Sequence, residues 1–244
     1  YPKYSRGGAI YNGGGDSYIR NCEFSDNHAD RKNGGAVHGN AGTLEISNCT
    51  VNGCSATTGG AFSFNGKGTT KIYNCTITGC SATTGGGIYF TELGTAQIYD
   101  STITGNTSTD AGPAIYDDDG VNYYKNCTIT NNKGTFSSGT TKRGAFVVNS
   151  TNKIHFDGYM IIKDNTINGE NYNLYIVTDK MMIIDSGFDP VASTPIGVRM
   201  GADKGNFAKM DSGSVTSKIA NCFKSDNTSY KVTYDSSNVK IASK

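Results

Sequence analysis

Leucine, tryptophan and long apolar runs are scarce or absent in this chain of 244 residues, and each absence argues against a class of structure. Leucine occurs only at Leu44, Leu93 and Leu174, tryptophan does not occur, and no stretch shows a sustained helical apolar period. Because helices favour leucine and need that period, a helical fold is disfavoured. No apolar run reaches the length of a membrane span and no signal peptide opens the chain, so we expect no membrane insertion here.

Charge of either sign is not in excess. The formal net charge is +1 and the sequence pI is about 7.7, so no basic field favours nucleic acid or anionic lipid. Hydrophobic residues make up 36% of the chain and glycine occurs 32 times, which indicates a thin, elongated core. We therefore expect a protein that binds no nucleic acid.

A repeat of about 26 residues organises the first part of the chain. An Asn-Cys pair, or Asp-Ser in one copy, recurs at intervals of 27, 26, 26 and 26 residues, which places the second residue of each pair at Cys22, Cys49, Cys75, Ser101 and Cys127. One apolar residue lies three positions before and another two positions after each of these residues. A fixed period of this length is the signature of a repeat architecture and outweighs local propensities.

Each repeat contains three short stretches in which apolar and polar residues alternate, for example residues 61–64, 70–73 and 76–78. Such alternation predicts strands, and three strands per repeat predict one coil of a right-handed parallel β-helix, an all-β solenoid. Equivalent residues then stack about 4.8 Å apart. We predict regular coils over residues 1–150, and an irregular continuation with a C-terminal cap over residues 151–244. Because the chain opens inside the repeat, we expect a fragment of a longer protein.

The seven cysteines are expected to be packing residues. Cys54 and Cys80 form a second ladder, in which the other repeats carry asparagine, at Asn27, Asn106 and Asn132. Stacked Cβ atoms lie farther apart than the roughly 3.8 Å that a disulfide prefers, and no CxxC pair indicates zinc. We predict small, buried thiols that stack inside the coils, and asparagines that hydrogen-bond from coil to coil.

Two sets of phrases carry a resemblance to known families. Residues 7–10 read Gly-Gly-Ala-Ile and residues 24–27 read Phe-Ser-Asp-Asn, which resembles the GGAI and FxxN motifs of the chlamydial polymorphic membrane protein repeats. Residues 159–165, 173–176 and 195–198 resemble phrases of repeat-containing surface proteins of Gram-positive gut bacteria. The resemblance implies a β-helical, adhesin-like protein that is located at the cell surface or secreted. It implies no catalytic residue and no particular ligand.

Two outward surfaces are candidates for binding. Tyr73 and Tyr99 occupy equivalent positions and Tyr123 lies on a neighbouring ladder; exposed tyrosines either stack on sugar rings or form ordinary strand surface. Three successive repeats also present Thr-x-Thr, at Thr76, Thr78, Thr102, Thr104, Thr128 and Thr130. A threonine grid is the feature that β-helical ice-binding proteins use, but threonine is also a favoured exposed strand residue.

The residues that could act in catalysis or bind a metal ion are one acidic cluster and three scattered histidines. Asp117, Asp118 and Asp119 lie before Gly120 and form either a solvated loop or a calcium site, the one cofactor that we consider. Glycoside hydrolysis needs two carboxylates that face each other roughly 5–10 Å apart, and the acids of the regular repeats fall at different positions. His28, His38 and His155 have no serine or cysteine partner in a known motif.

The favoured function is therefore a non-catalytic, adhesin-like surface protein that binds host or microbial glycans or surface proteins. A carbohydrate-active β-helix enzyme, either a polysaccharide lyase or a glycoside hydrolase, is the alternative, because this fold also supports such enzymes. Ice binding through the Thr-x-Thr face is the second alternative.

Overall fold

Stacked coils of short strands form the whole fold. A computed structural model describes residues 7–91, 94–137, 139, 144–150, 153–189 and 194–244. These residues contain 32 strands, numbered β1 to β32 along the chain, and the short helix α1 at Ser217–Ala220. The strands make a solenoid of about eight turns with about 26 residues per coil, which confirms the all-β solenoid predicted from the repeat.

Two long sheets, A and B, run along the solenoid and continue past residue 150 in the described part of the chain. The division at residue 150 itself stays a prediction. Sheet A contains β1 Ile10–Asn12, β5 Val37–Gly39, β9 Phe62–Asn65, β13 Ile88–Thr91, β17 Ile115–Asp117, β21 Phe146–Val148, β26 Leu174–Ile176, β28 Ile196–Met200 and β30 Phe223–Ser225. Sheet B contains β2 Ser17–Arg20, β6 Thr43–Ser47, β10 Thr69–Tyr73, β14 Thr95–Tyr99, β18 Val121–Lys125, β22 Ile154–Asp157, β27 Met182–Ile184, β29 Gly205–Met210, β31 Tyr230–Tyr234 and β32 Asn238–Ser243.

Two shorter sheets, C and D, complete the coils. Sheet C contains β3 Glu23–Ser25, β7 Thr50–Asn52, β11 Thr76–Thr78, β15 Thr102–Thr104, β19 Thr128–Thr130 and β23 Ile161–Lys163. Sheet D contains β4 His28–Asn33, β8 Ser55–Thr58, β12 Ser81–Thr84, β16 Thr107–Ala111, β20 Lys133–Gly134, β24 Thr166–Ile167 and β25 Glu170–Asn171.

Sheet D corrects the prediction of three strands per coil. Its strands β8 and β12 have the sequence Ser-Ala-Thr-Thr and pair with each other in parallel. Because this sequence has no large apolar residue, it shows no apolar alternation from which a strand could be recognised. The coils that cross all the sheets therefore contain four strands.

Ladders of apolar side chains fill the interior. Ile46, Ile72 and Ile98 lie in register on sheet B and are fully buried. Ile77 and Ile103 form a matching ladder on sheet C and are equally buried. Full burial of one such side chain contributes roughly 1.5–3 kcal/mol, so the ladders hold each coil against the next.

The asparagine of each Asn-Cys pair forms the corner between sheets B and C. Five corner residues have left-handed backbone conformations with φ between 50° and 54°, namely Asn21, Asn48, Asn74, Asp100 and Asn126. Asparagine and aspartate adopt this conformation more readily than other residues with side chains. The pair therefore recurs because its first residue turns the chain and its second fills the core.

Hydrogen bonds along a ladder of buried asparagines confirm the coil-to-coil pairing predicted for them. Asn106 Nδ2 donates to Asn132 Oδ1 at 3.0 Å, and Asn132 Nδ2 donates to Asn165 Oδ1 at 2.9 Å. Asn165 Nδ2 continues the ladder with a 3.0 Å bond to Asn173 Oδ1. These amides satisfy one another inside the solenoid, as buried polar groups must.

All seven cysteines lie in the described part of the chain and are free thiols, as predicted. Six are buried as expected, but Cys22 is exposed, because among the described residues its coil is the first of the stack. Burial raises the pKa of the Cys75 thiol to about 11 and that of the Cys127 thiol to about 12, so both stay protonated at neutral pH. Between them in the stack, Ser101 Oγ accepts a 3.1 Å bond from the Cys75 backbone, the same contact that Cys49 Sγ makes with the Cys22 backbone, so serine can replace cysteine there.

An antiparallel hairpin closes the C-terminal end of the solenoid. Strand β32 pairs antiparallel with both β29 and β31, whereas the earlier strands of sheet B pair in parallel. The change of direction ends the repeating pattern and forms the predicted cap. Among the described residues, no helix has the length and apolar character required to cross a membrane.

Candidate functional site

The outer face of sheet B carries two ladders whose residues change from coil to coil. Along β10, Ile72 points inward while Lys71 and Tyr73 point outward, since successive strand residues face opposite sides. The first outward ladder contains Arg20, Ser47, Tyr73, Tyr99, Lys125 and Asp157. The second contains Tyr18, Glu45, Lys71, Gln97, Tyr123 and His155.

Four neighbouring rings on this face, Tyr73, Tyr99, Tyr123 and His155, form what we call the tyrosine platform. The Tyr73 and Tyr99 rings are tilted with centroids 5.6 Å apart, and the Tyr123 and His155 rings are stacked at 4.5 Å. The Tyr73 hydroxyl donates to Gln97 Oε1 at 2.9 Å, which links the two ladders. The structure thus brings together the three tyrosines that the sequence singled out.

Partial burial raises the pKa of two platform tyrosines, Tyr73 and Tyr99. Burial raises the pKa of Tyr73, and the neighbouring Tyr99 and Glu45 add to the rise. Burial also raises the pKa of Tyr99, although the positive charge of Lys125 opposes it. Both hydroxyls therefore stay protonated at neutral pH and can both donate and accept hydrogen bonds.

Three aspartates, which we call the aspartate ladder, continue the first outward ladder beyond Lys125. Asp157 ends β22, and Asp185 and Asp211 directly follow Ile184 and Met210, which stack in register. Lys125 Nζ lies 2.7 Å from Asp157 Oδ2, and His155 Nδ1 lies 2.8 Å from Asp185 Oδ1. Ligand atoms of His155, Asp185 and Asp211 lie within 4.8 Å of one another.

The sequence reasoning missed this ladder because its spacing departs from the regular repeat. The intervals from residue 125 to 157, 185 and then 211 are 32, 28 and 26 residues. The usable signal was local: each aspartate directly follows an inward apolar residue, Phe156, Ile184 or Met210. His155, which the sequence left without a catalytic partner, has a carboxylate partner in the structure.

The face combines an aromatic surface with charged groups, which is the chemistry that recognises a sugar. Aromatic rings pack against the apolar face of a pyranose, and carboxylates, amides and ammonium groups bond its hydroxyls. The His155–Asp185 pair beside Asp211 could also act as a general base or hold a divalent cation.

The threonine grid lies on the outer face of sheet C, in the register expected from the sequence. Thr76, Thr102 and Thr128 are aligned on consecutive coils. The adjacent row contains Thr78, Thr104 and Thr130, in which Oγ1 of the last two lies 3.2 Å apart. The next coil places Ile161 and Lys163 at these positions, so the grid ends after three rungs. Ice binding by this grid stays a prediction.

Asp117 is inside the solenoid, which corrects the expectation that all three aspartates lie in one turn. It ends β17 in register with Phe90 and is fully buried. Its carboxylate accepts from the Tyr124 hydroxyl at 2.6 Å and from Asn122 Nδ2 at 2.8 Å. Tyr124 occupies the position that Ile98 has in the preceding coil, so the extra hydroxyl on one sheet compensates for the carboxyl on the other.

The other two aspartates of this cluster have separate partners. Asp118 Oδ1 accepts a hydrogen bond from Asn149 Nδ2, and Asp119 Oδ1 pairs with Lys153 Nζ at 2.7 Å. The bond with Lys153 holds the pKa of Asp119 below its usual value. Calcium binding by Asp117, Asp118 and Asp119 stays a prediction, and their different partners do not favour one shared ion.

Comparison with known proteins gives one match. The family model described as "Right handed beta helix region" matches residues 3–160, which is more than half of the chain. Neither the curated proteins nor the solved structures gave a match.

Proposed function

Because the chain belongs to the family of right-handed β-helix proteins, we propose that it serves in attachment at a cell surface or as part of a secreted protein. In this proposal the solenoid is non-catalytic and binds glycan chains through the tyrosine platform. The resemblance to polymorphic membrane protein repeats and to surface repeat proteins of gut bacteria supports an extracellular, adhesin-like role.

The observation that carries the proposal is the clustering of aromatic rings on an otherwise polar face. Tyr73, Tyr99, Tyr123 and His155 extend over four consecutive coils. Coils repeat about every 4.8 Å, which is close to the length of one sugar unit, so successive rungs can contact successive units. Lys125 and the aspartate ladder then supply hydrogen-bonding groups along the same line.

A glycan array followed by calorimetry tests this function. We expect the chain to retain a defined set of oligosaccharides, and Tyr99→Ala to weaken binding about tenfold, or about 1.4 kcal/mol. Tyr123→Ala should have a similar effect. Tyr18→Ala is the matched control, because Tyr18 lies on the same face at 60% exposure but three coils from Tyr99. Absence of any retained glycan, or an equal loss with Tyr18→Ala, would contradict the platform.

One observation favours a second candidate, a carbohydrate-active enzyme. The His155–Asp185 pair and Asp211 lie directly beside the tyrosine platform, so a bound sugar chain would lie next to two carboxylates and an imidazole. Ligand oxygens of Asp185 and Asp211 lie within 4.8 Å of each other, just below the separation of about 5–5.5 Å between the two carboxyl groups of retaining glycosidases.

A reducing-sugar assay on the polysaccharides that bind separates the two candidates. If the protein serves in attachment, it should bind the polysaccharide and release no reducing sugar. Hydrolysis or lyase chemistry predicts product that Asp185→Asn abolishes, while Tyr99→Ala raises the KM more than it lowers kcat.

A further inference from the structure

A cavity lies on the outer face of sheet A, at the end of the solenoid that the cap closes. It has a volume of about 190 Å³, and the residues lining it include Tyr172, Tyr175, Arg199, Asp203, Asn227 and Tyr230. Tyr175 and Arg199 lie in register on the outer face of sheet A, and Tyr230 begins the cap strand β31. All its lining residues lie at or after residue 172, whereas the tyrosine platform lies on β10, β14, β18 and β22, so the cavity is separate from the platform.

Contacts to one side of its guanidinium group hold the Arg199 side chain in place. Its Nη1 donates to the Tyr172 hydroxyl at 2.8 Å, and its central carbon lies 3.7 Å from the centroid of the Tyr172 ring. Stacking and a short hydrogen bond together fix the plane of the guanidinium, so little side-chain freedom remains to be lost when a ligand binds.

The other edge of the guanidinium has weak partners. Nη2 donates to the Asp226 carbonyl at 3.4 Å and to Glu170 Oε2 at 3.5 Å, both long distances for a charged pair. The Nε of Arg199 is buried and has no hydrogen-bond partner among the described residues. A carboxylate in the cavity would give Nη2 a stronger acceptor than either of its two long bonds.

The rest of the lining suits a single hydroxylated ring. Tyr175 is buried and Tyr172 and Tyr230 are half-buried, so three aromatic rings contribute to the walls. Asp203 and Asn227 add oxygens that accept from hydroxyl groups. Asp203 is exposed, so solvent screens its charge more than the partly buried charge of Arg199. The volume is below the roughly 300 Å³ of pockets for drug-sized ligands, which limits the occupant to about one ring.

We propose that this cavity binds one carboxylated sugar residue, whose carboxylate pairs with Nη2 of Arg199 while its ring packs against the tyrosines. A charge-assisted hydrogen bond from arginine to a carboxylate is roughly twice as strong as a bond between neutral groups, which favours an acid over a neutral sugar. The inference stands on residues of sheet A and the cap and does not depend on the tyrosine platform.

Titration of the labelled chain with D-glucuronate, followed by NMR and calorimetry, tests the site. We expect saturable shifts at the backbone amides of Gly201 and Asn227, and binding at least about tenfold tighter than that of D-glucose. Arg199→Gln should lower the affinity for glucuronate about tenfold or more, with little change for glucose. Arg20→Gln is the matched control, because that arginine pairs with Glu45 on sheet B and should not affect binding.

Several results would overturn the proposal. Equal affinity for glucose would remove the role of the carboxylate, and equal affinity for L-glutamate would remove the role of the sugar ring. Shifts confined to the tyrosine platform would place the site elsewhere. If Arg199→Gln fails to fold, Tyr230→Phe and Asn227→Ala test the same cavity, and unchanged binding in both contradicts it. Tyr99→Ala should leave glucuronate binding intact, which separates this site from the proposed attachment function.

Discussion

The inside and the outside of the same coils differ in how strictly they repeat. Inside, one ladder carries only cysteine or asparagine, as Cys54, Cys80, Asn106, Asn132 and Asn165. Outside, on sheet B, Tyr99 is followed by Lys125 on the next coil. Interior positions must pack closely and satisfy every polar group, whereas an outer residue can change with little effect on stability.

The outer face of sheet C sharpens this difference. Its threonines repeat although they face outward, because threonine suits an exposed strand and stacked copies support each other. Repetition on the outer face of sheet C is therefore explained by strand packing. The outer face of sheet B is the stronger candidate for a functional surface because its varied residues place four aromatic rings beside charged groups.

The largest expected effect is in the interior. Asn132 Nδ2 donates to the Ile103 carbonyl at 3.0 Å, and Asn132 Oδ1 accepts from the Asn106 backbone at 3.0 Å. Asn132→Ala should lower the free energy of unfolding by about 5 kcal/mol, since several buried groups each lose about 1–3 kcal/mol. Urea denaturation measures this. Asn52→Ala, on an exposed outward position, should change it by less than about 0.5 kcal/mol. Equal losses of unfolding free energy for the two variants would contradict the stated difference between interior and outer residues.

A pH titration of stability tests the interior charge next. Burial raises the pKa of Asp117 from 3.8 to about 7, so the folded state favours the protonated acid. The contribution of the protonated Asp117 side chain to the free energy of unfolding is complete below about pH 4. As the pH rises to about 7, this contribution is lost, which lowers the free energy of unfolding by an amount on the order of 4 kcal/mol. Asp117→Asn should remove this component from urea denaturation curves measured across that range.

Asp119→Asn provides the control of opposite sign. The pKa of Asp119 is lowered by Lys153, so its contribution is present at neutral pH and lost on acidification. If the difference in stability between the Asp117→Asn variant and the unchanged chain did not vary with pH, the carboxyl would not titrate inside the solenoid.

Adding a rung to the outer face should produce a smaller gain. Ser47 lies in register with Tyr73, so Ser47→Tyr extends the tyrosine platform by one coil. We expect binding of a long oligosaccharide to tighten about threefold, since an added aromatic contact contributes about 0.5–1.5 kcal/mol. Thr50→Tyr, on the outer face of sheet C, should give no gain in calorimetry. A gain from both variants would indicate non-specific aromatic binding.

The smallest effect is expected on the threonine grid. Thr102→Leu and Thr104→Leu should leave freezing behaviour unchanged, and the unchanged chain should show no thermal hysteresis, because the grid extends over three coils only. Thermal hysteresis that these changes abolish would instead assign ice binding to sheet C.

The fold could be predicted from the sequence where residues that contact each other in the interior recur at the repeat interval. The spacing of Cys49 and Cys75 indicated the stacking of coils, and the alternation around Ile72 indicated strands. The strand Ser55–Thr58 was not predictable, because its small and polar residues do not show which side faces the core. The left-handed corner at Asn48 was not predicted, because a recurring Asn-Cys pair does not reveal the backbone conformation of its first residue.

The candidate site was predictable only where it follows the regular period. Tyr73 and Tyr99 were found because they lie one repeat apart. Asp185 and Asp211 lie beyond coils of unequal length, so only the backbone register brings them beside His155. Asp117 was placed in a turn because an acid at an apolar position contradicts the pattern, and its partner Tyr124 lies on another sheet.

The hydrogen bonds between parallel strands join each coil to the next, and this has a mechanical consequence. Tension applied between the two ends of the solenoid would peel away one coil at a time instead of loading all the sheets together. Each released coil of about 26 residues extends to roughly 90 Å of chain. A solenoid built in this way would lengthen in steps under load, because each coil unfolds separately.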